Sequence, residues 1–385
     1  MNKVYDLLII GGGFSSGSFI YNFLKNGFDG KIAILEVGRK LGGRFSLKSS
    51  SKNLNWSVHH GCPNFNIINK SKNPLIDEYI DDLKLSKLIN VDNFDLIQFN
   101  KDFLLSPLEE NDFYKGNIYR AHYPITNLIN AIISLNNKND QVDVFLETLV
   151  DDLDFIGNIW RVSCTSGKIF ECKYLVLSSN LLLHERSKAI LNKNSSAFEK
   201  IIKNKNNQIL KDLIKSVNNQ KYQKRTNFII YTNKSYKYKF NNNKKDIHVL
   251  FNNKAEEISG FERIIFQKQS NNTIAIVIHT RYMDNEKHYS DKYSNSFEVN
   301  NLLDRFNSVF ENNNLINILN DYSDISIMRW RSSQPKGYGI NKDLQICTEL
   351  SIAFCGDWFD YEGFGRVEGA ILSGLSLSNN LIKLI

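Results

Sequence analysis

Apolar and polar positions fall into blocks along the chain, and the blocks near the N-terminus resolve into strand, helix and strand. Val4 to Ile10 is an apolar run broken only by Asp6 and ended by Gly11-Gly12-Gly13, the pattern of a strand buried in a parallel sheet. Ser15 to Asn26 places Phe19, Ile20, Phe23 and Leu24 at helical spacing, and Gly27 stops that helix. Lys31 to Glu36 returns as a second apolar strand ending in a carboxylate, which completes a βαβ unit. Leu75 to Ile89 reads as an amphipathic helix, after an exposed Ser/Lys/Asn excursion from Lys48 to Asn55. Strand-like alternation recurs at Val142 to Leu146, Trp160 to Cys164 and Lys168 to Cys172, with Ser166-Gly167 as a hairpin turn. Lys173 to Leu177 reads as a further short buried strand, and Ala197 to Val217 as helical. Asp246 to Phe251, Ile264 to Gln267 and Thr273 to His279 read as strands of a second sheet. The last strand, Ser351 to Cys355, runs into Gly356-Asp357, and Gly369 to Leu384 is a helix. No internal repeat is visible.

Composition narrows the class. At 385 residues, 42% hydrophobic and 23% charged, the chain is long enough for two globular domains and is neither collagenous nor a disulfide scaffold. Lys and Arg exceed Asp and Glu by 48 to 41, but the excess is spread singly among Asn and Ser, as in Lys203 to Lys215 and Asn233 to Lys245. Without a basic helix or Arg stripe this is a solvated surface, and no nucleic-acid partner is expected. The cysteines, Cys62, Cys164, Cys172, Cys347 and Cys355, are odd in number and lack metal-ligand spacing. A reduced, cytoplasmic protein fits them best. No apolar run approaches a membrane span, and Met1 to Asp6 enters a strand directly, so no signal peptide is expected.

Chemistry enters at the first turn. Gly11-Gly12-Gly13-Phe14-Ser15-Ser16-Gly17 lies between strand and helix, where backbone N–H groups and the helix dipole can face a pyrophosphate. Gly11 and Gly13 fill the first two fingerprint positions. Ser16 stands at the third, with Gly17 one place late, and Glu36 lies where a carboxylate accepts ribose hydroxyls. That unit serves NAD or FAD equally. The choice rests on Gly38-Arg39-Lys40-Leu41-Gly42-Gly43-Arg44 and on Gly356-Asp357-Trp358 followed by Arg366 to Gly374. There paired glycines, a guanidinium fork and a carboxylate before a helix suit the phosphate, ribityl and pyrimidine parts of a flavin.

These segments, with VHHGCPNF at Val58 to Phe65, RWRSSQP at Arg329 to Pro335, and GDWF with GRVEGAILSG, resemble the renalase-like NAD/FAD-dependent oxidoreductases, distant relatives of monoamine oxidase. HYPITNLINAI (His122 to Ile132) and VIHTRYMDNEKHYSD (Val277 to Asp291) carry the likeness more faintly through the middle. The resemblance implies FAD, with the pyrophosphate on the amides around Gly13 to Ser16, Phe14 and Ser15 among them. It places the adenosine ribose on Glu36, the phosphate side on Gly43 and Arg44, and the adenine on the Val150 backbone. Gly61, Cys62, Pro63 and Asn64 would run beside the flavin, and Asp357, Val367 and Glu368 would cover ribityl and pyrimidine. Trp330, Gln334 and Tyr338 are wall candidates facing the flavin, although Trp330 serves equally as a buried Trp between domains. Relatives read Asp-His-Gly-Ala-Gln-Tyr-Phe where this chain has His59-His60-Gly61-Cys62-Pro63-Asn64-Phe65, so the surface beside the flavin is altered. No side-chain acid or base is assigned.

Adjacent His59 and His60 point to opposite faces of a strand, and no metal site is expected. Neither Cys62 nor Cys355 lies in a flavin-attachment motif, so non-covalent FAD is expected, and no G-x-S-x-G elbow supports Ser catalysis. The expected architecture is α/β: a Rossmann-like FAD-binding domain from residues 1–90, 136–185 and 335–385, with an inserted α+β substrate domain from 91–135 and 186–334. The expected activity is hydride transfer from a small organic substrate, dihydronicotinamide-type or amine, to flavin N5, with reoxidation by oxygen or another acceptor. An NAD(P)-dependent dehydrogenase, a carotenoid-desaturase-like flavoenzyme and a flavin-binding protein without activity are the alternatives. Substrate identity, acceptor and oligomeric state stay open.

Overall fold

The computed structural model describes residues 3–45, 47–50, 52, 56–68, 73–122, 127–232, 245–269, 273–281, 295–311 and 322–385. Parts of the Lys48 to Asn55 excursion, of the Lys/Asn stretch Asn233 to Lys245, and of the two fainter motifs (123–126 and 282–291) lie outside them, as does the Arg331 side chain.

The apolar run Val4–Ile10 (β1), the helix Phe14–Lys25 (α1) and Ile32–Leu35 (β2) form the N-terminal βαβ unit. β1 lies between β2 and Ile169–Leu177, parallel to both, and Val142–Phe145 adds in parallel outside β2. Val150–Ile156 and Ile159–Cys164 extend the other side in antiparallel fashion. Lys168 to Cys172 and Lys173 to Leu177, expected as separate strands, are one strand with divided partners on its outer side. Its first half pairs with Ile159–Cys164, and its second half, Leu175–Leu177, with Ile352–Phe354. Both faces of this sheet are covered: α1, Pro74–Leu85, Leu128–Ser134 and the C-terminal helix on one side, Ala197–Lys205 and Gln208–Asn219 on the other.

The Ala197 to Val217 segment is therefore two helices rather than one. Asn206 adopts a left-handed conformation (φ 47°) and Asn207 caps the second helix by accepting the Leu210 amide at 2.9 Å. These helices fall within the 186–334 stretch expected in the substrate unit, yet they pack on the first sheet, as does Leu128–Ser134 from 91–135.

A second sheet runs in the order Tyr322–Lys336, Lys221–Thr232 (β3), Ile274–Thr280, Phe261–Lys268 (β4), Ile247–Phe251, Asp95–Phe99, Leu105–Ser106. One face packs on helices Asn253–Ser259 and Asn295–Glu311 through Ala255, Leu302, Phe306 and Phe310. The other face meets Val58 from the short strand Ser57–His59 and then opens onto a cavity. The C-terminal helix Val367–Leu381 (α2) crosses α1, and Gly374 makes the crossing close: a Cβ there would stand 2.2 Å from the Ser15 carbonyl oxygen. Among the described residues no helix is long and apolar enough to cross a membrane.

Candidate functional site

The cavity, about 430 Å³, lies past the carboxyl ends of β1, β2 and Ile169–Leu177 and is roofed by the second sheet. Crevices at strand carboxyl ends are where open α/β sheets bind ligands. Gly11, Gly13, Phe14 and Ser15 line it. Gly13 begins α1 with no side-chain cap and no acidic residue in the first turn, so the positive helix end is left for an anion. Among the described residues a Cβ on Gly13 would meet nothing within 4 Å, so the turn presents open backbone to the cavity. Ser16 is buried outside the lining, its hydroxyl donating to the Gly13 carbonyl at 2.8 Å. Gly17 abuts Ile129 of Leu128–Ser134, where a Cβ would come within 3.2 Å.

Glu36 is buried at the cavity wall and braces two loops. Its Oε2 accepts the Gly12 amide and its Oε1 the Gly38 amide, both at 2.7 Å. Each oxygen keeps a further lone pair for a ligand hydroxyl. Val150 lines the same end of the cavity with Thr148 and Leu149.

Arg44 and Asp357, read separately from sequence as phosphate and ribityl ligands, form an ion pair at 2.7 Å, and Arg44 also donates to the Ser333 carbonyl at 2.8 Å. Asp357 Oδ2 is buried and has no hydrogen-bond partner among the described residues. Gly61 passes against Arg44 so closely that a Cβ would lie 2.1 Å from the Arg44 carbonyl oxygen. Gly43, Gly61, Cys62 and Asn64 line the cavity; Pro63 is buried but stands outside it. Burial pushes the Cys62 thiol up, although Arg263, Arg44 and Arg225 oppose this, and pushes Cys355 up to about 12. Both are held as thiols.

At the α2 end, Val367 lines the cavity with Arg366 and Ala370. The Glu368 side chain does not. It is buried away from the cavity, accepting the Ile68 amide at 3.1 Å and pairing with Arg366 at 3.0 Å. Trp330 and Gln334 are on the wall. Trp330 stacks on His60 with centroids 5.4 Å apart, and its Nε1 is buried without a partner among the described residues. Tyr338 corrects the expectation: the strand ends at Lys336, Gly337 turns the chain at φ 90°, and Tyr338 is 95% exposed outside the cavity.

Sequence reasoning missed Asn180, Arg186, Arg225, Asn227, Arg263 and His279, all in the lining. The signal for the last three is a polar residue on the inward face of otherwise apolar strands. Burial, with Arg263 and Arg225 nearby, holds His279 well below the usual imidazole range. Among the described residues no group of three or more His, Cys, Asp or Glu side chains is gathered as a metal site.

No family model matches the chain, and no curated protein matches it in sequence. Its fold is shared with solved structures. The crystal structure of "Putative protoporphyrinogen oxidase from Exiguobacterium sp. 255-15" aligns over 100% of both chains with a TM-score of 0.63 at 10% identity. That of tetracycline destructase Tet(51) aligns over 99% of this chain and 82% of the other, with a TM-score of 0.52 at 13% identity.

Proposed function

We propose that this chain, whose fold aligns with that of the "Putative protoporphyrinogen oxidase", is an FAD-dependent oxidoreductase of the renalase-like type, acting on a small organic donor of the dihydronicotinamide or amine kind. The observation that carries the reading is Asp357: a buried carboxylate with one oxygen paired to Arg44 and the other without a partner among the described residues, beside the cavity that the uncapped end of α1 also borders. A buried acceptor without a donor is unfavourable, and a ribityl hydroxyl supplies one.

In this reading the α1 amides bind the pyrophosphate, Glu36 takes ribose hydroxyls on its remaining lone pairs, and Val150 flanks the adenine. When bound, the flavin supplies a hydride acceptor at N5 that oxygen or another acceptor restores. The chain's own part is to orient donor and cofactor and exclude water. The Trp330 indole, stacked on His60, walls the reacting space. α2 directs its positive end at the cavity through Val367. The Cys62 and Cys355 thiols, both kept protonated by desolvation, fit a non-covalent cofactor.

The purified protein is expected to be yellow, and acid precipitation to release all the colour as FAD into the supernatant. A colourless protein that FAD cannot reconstitute, or colour retained in the pellet, contradicts the proposal.

A further inference from the structure

Resting on the flavoprotein reading, we infer that the substrate is an organic anion whose oxyanion group, carboxylate or phosphate, binds Arg263 in the cavity roof. Asn227 on β3 lies opposite His279, and His279 lies opposite Arg263 on β4, so the three form a cross-strand row. The row two residues along on the same face is Ile229, Val277 and Ile265, which packs on Val58. The face thus turns polar where it reaches the cavity.

Arg263 is only 8% exposed and forms no ion pair among the described residues. The lining arginines Arg44, Arg225 and Arg366 pair with Asp357, Glu262 and Glu368. Arg186 also lacks a carboxylate, but it is bonded to Ser332 and Asn180 and lies over the Tyr222 ring. Among the described residues Arg263 makes only long hydrogen bonds, to Tyr114 Oη at 3.4 Å and His279 Nδ1 at 3.3 Å, and its Nε has no partner. Burial opposes its charge, which Tyr114 and Glu262 sustain from nearby, but Glu262 is paired to Arg225 and no carboxylate contacts Arg263 among the described residues, so its fork is left for an anion.

The surrounding atoms point the same way. A guanidinium can only donate, so His279 Nδ1 accepts and the neutral ring carries its proton on Nε2, which has no partner among the described residues. Trp330 Nε1, three strands from Arg263 across the sheet, is a further donor without a partner among the described residues, whereas Asn227 Oδ1 is the acceptor of the row without one. A planar fork beside the His279 N–H suits an acceptor-rich oxyanion, and Phe113, under the guanidinium, and Trp330, farther along the lining, offer aromatic walls to the rest of the molecule.

The test titrates benzoate, phenyl phosphate and neutral benzamide into the flavin-loaded protein, reading the visible flavin spectrum and calorimetric heat. Benzoate or phenyl phosphate should bind saturably and at least about tenfold more tightly than benzamide, and the tighter anion identifies the group recognised. Arg263→Gln should lose at least about tenfold in anion affinity, with benzamide unaffected. Arg263→Lys, which keeps charge but not the fork, should fall between and serves as the variant if the Gln form does not fold. Benzamide binding as tightly as both anions, or unchanged anion affinity in the variants, overturns the proposal. A protein that takes up no flavin overturns the flavoprotein reading alone, because calorimetry still reads anion binding and its loss in the variants.

Discussion

Glu36 carries two tasks through one carboxylate: it holds the Gly12 and Gly38 amides, and in the proposed reading it meets the ribose. Each charge-assisted hydrogen bond contributes about 1.5–3 kcal/mol. Glu36→Ala is therefore expected to weaken FAD binding at least about tenfold, since about 1.4 kcal/mol is one decade. Glu36→Gln should do little better, because both backbone partners are donors and the amide NH2 would face one of them. Flavin-fluorescence titration checks both variants, and wild-type affinity in Glu36→Ala would remove Glu36 from the site.

Among the elements, the crossing of α1 and α2 sets where the first-turn amides point, and two glycines separate packing from binding. Gly374→Val forces atoms against the Ser15 carbonyl and should destabilise the fold by about 1–3 kcal/mol, as overpacking does, with FAD affinity falling as α1 shifts. Gly13 has β-region dihedrals that alanine tolerates (φ −92°, ψ −168°) and open space where a Cβ would go. Gly13→Ala should leave the melting temperature of the flavin-free protein unchanged while lowering FAD affinity; melting curves and FAD titrations distinguish the two variants. For α2, Val367→Pro removes one N–H at a position where a helix tolerates proline. If that donor stabilises the reduced flavin's negative charge, the two-electron potential of the fully loaded variant falls below wild type, and an unchanged potential rules the role out.

Over the whole molecule, histidines held neutral by burial link stability to pH. Burial is the main cause at each: His59 is pushed down to about 3, His60 to about 4, and His248 and His279 well below the ordinary value. The unfolded chain binds these protons near pH 6.5 and the folded chain does not, so their stabilisation is present above that pH and declines as pH falls toward about 3–4. At pH 5 each fully buried imidazole has lost roughly 2 kcal/mol. Melting temperature should drop steeply from pH 7 to 5, and a flat profile would mean these rings take up protons in the folded state.

The sequence alone determined what neighbouring residues decide. β1, α1 and β2 follow from an apolar run, a glycine turn and helical periodicity within a short stretch, and the glycine-rich turn with Glu36 follows from the same local spacing. Tertiary structure decided what depends on partners distant along the chain. It divided the outer edge of Ile169–Leu177 between two strands, laid Gln208–Asn219 on the first sheet, joined Arg44 to Asp357, and set Asn227, His279 and Arg263 in one row. Periodicity shows which face of an element is apolar but not which element covers it. A buried arginine therefore looks like any other until the sheet register sets Leu250 and His279, rather than a carboxylate, opposite it.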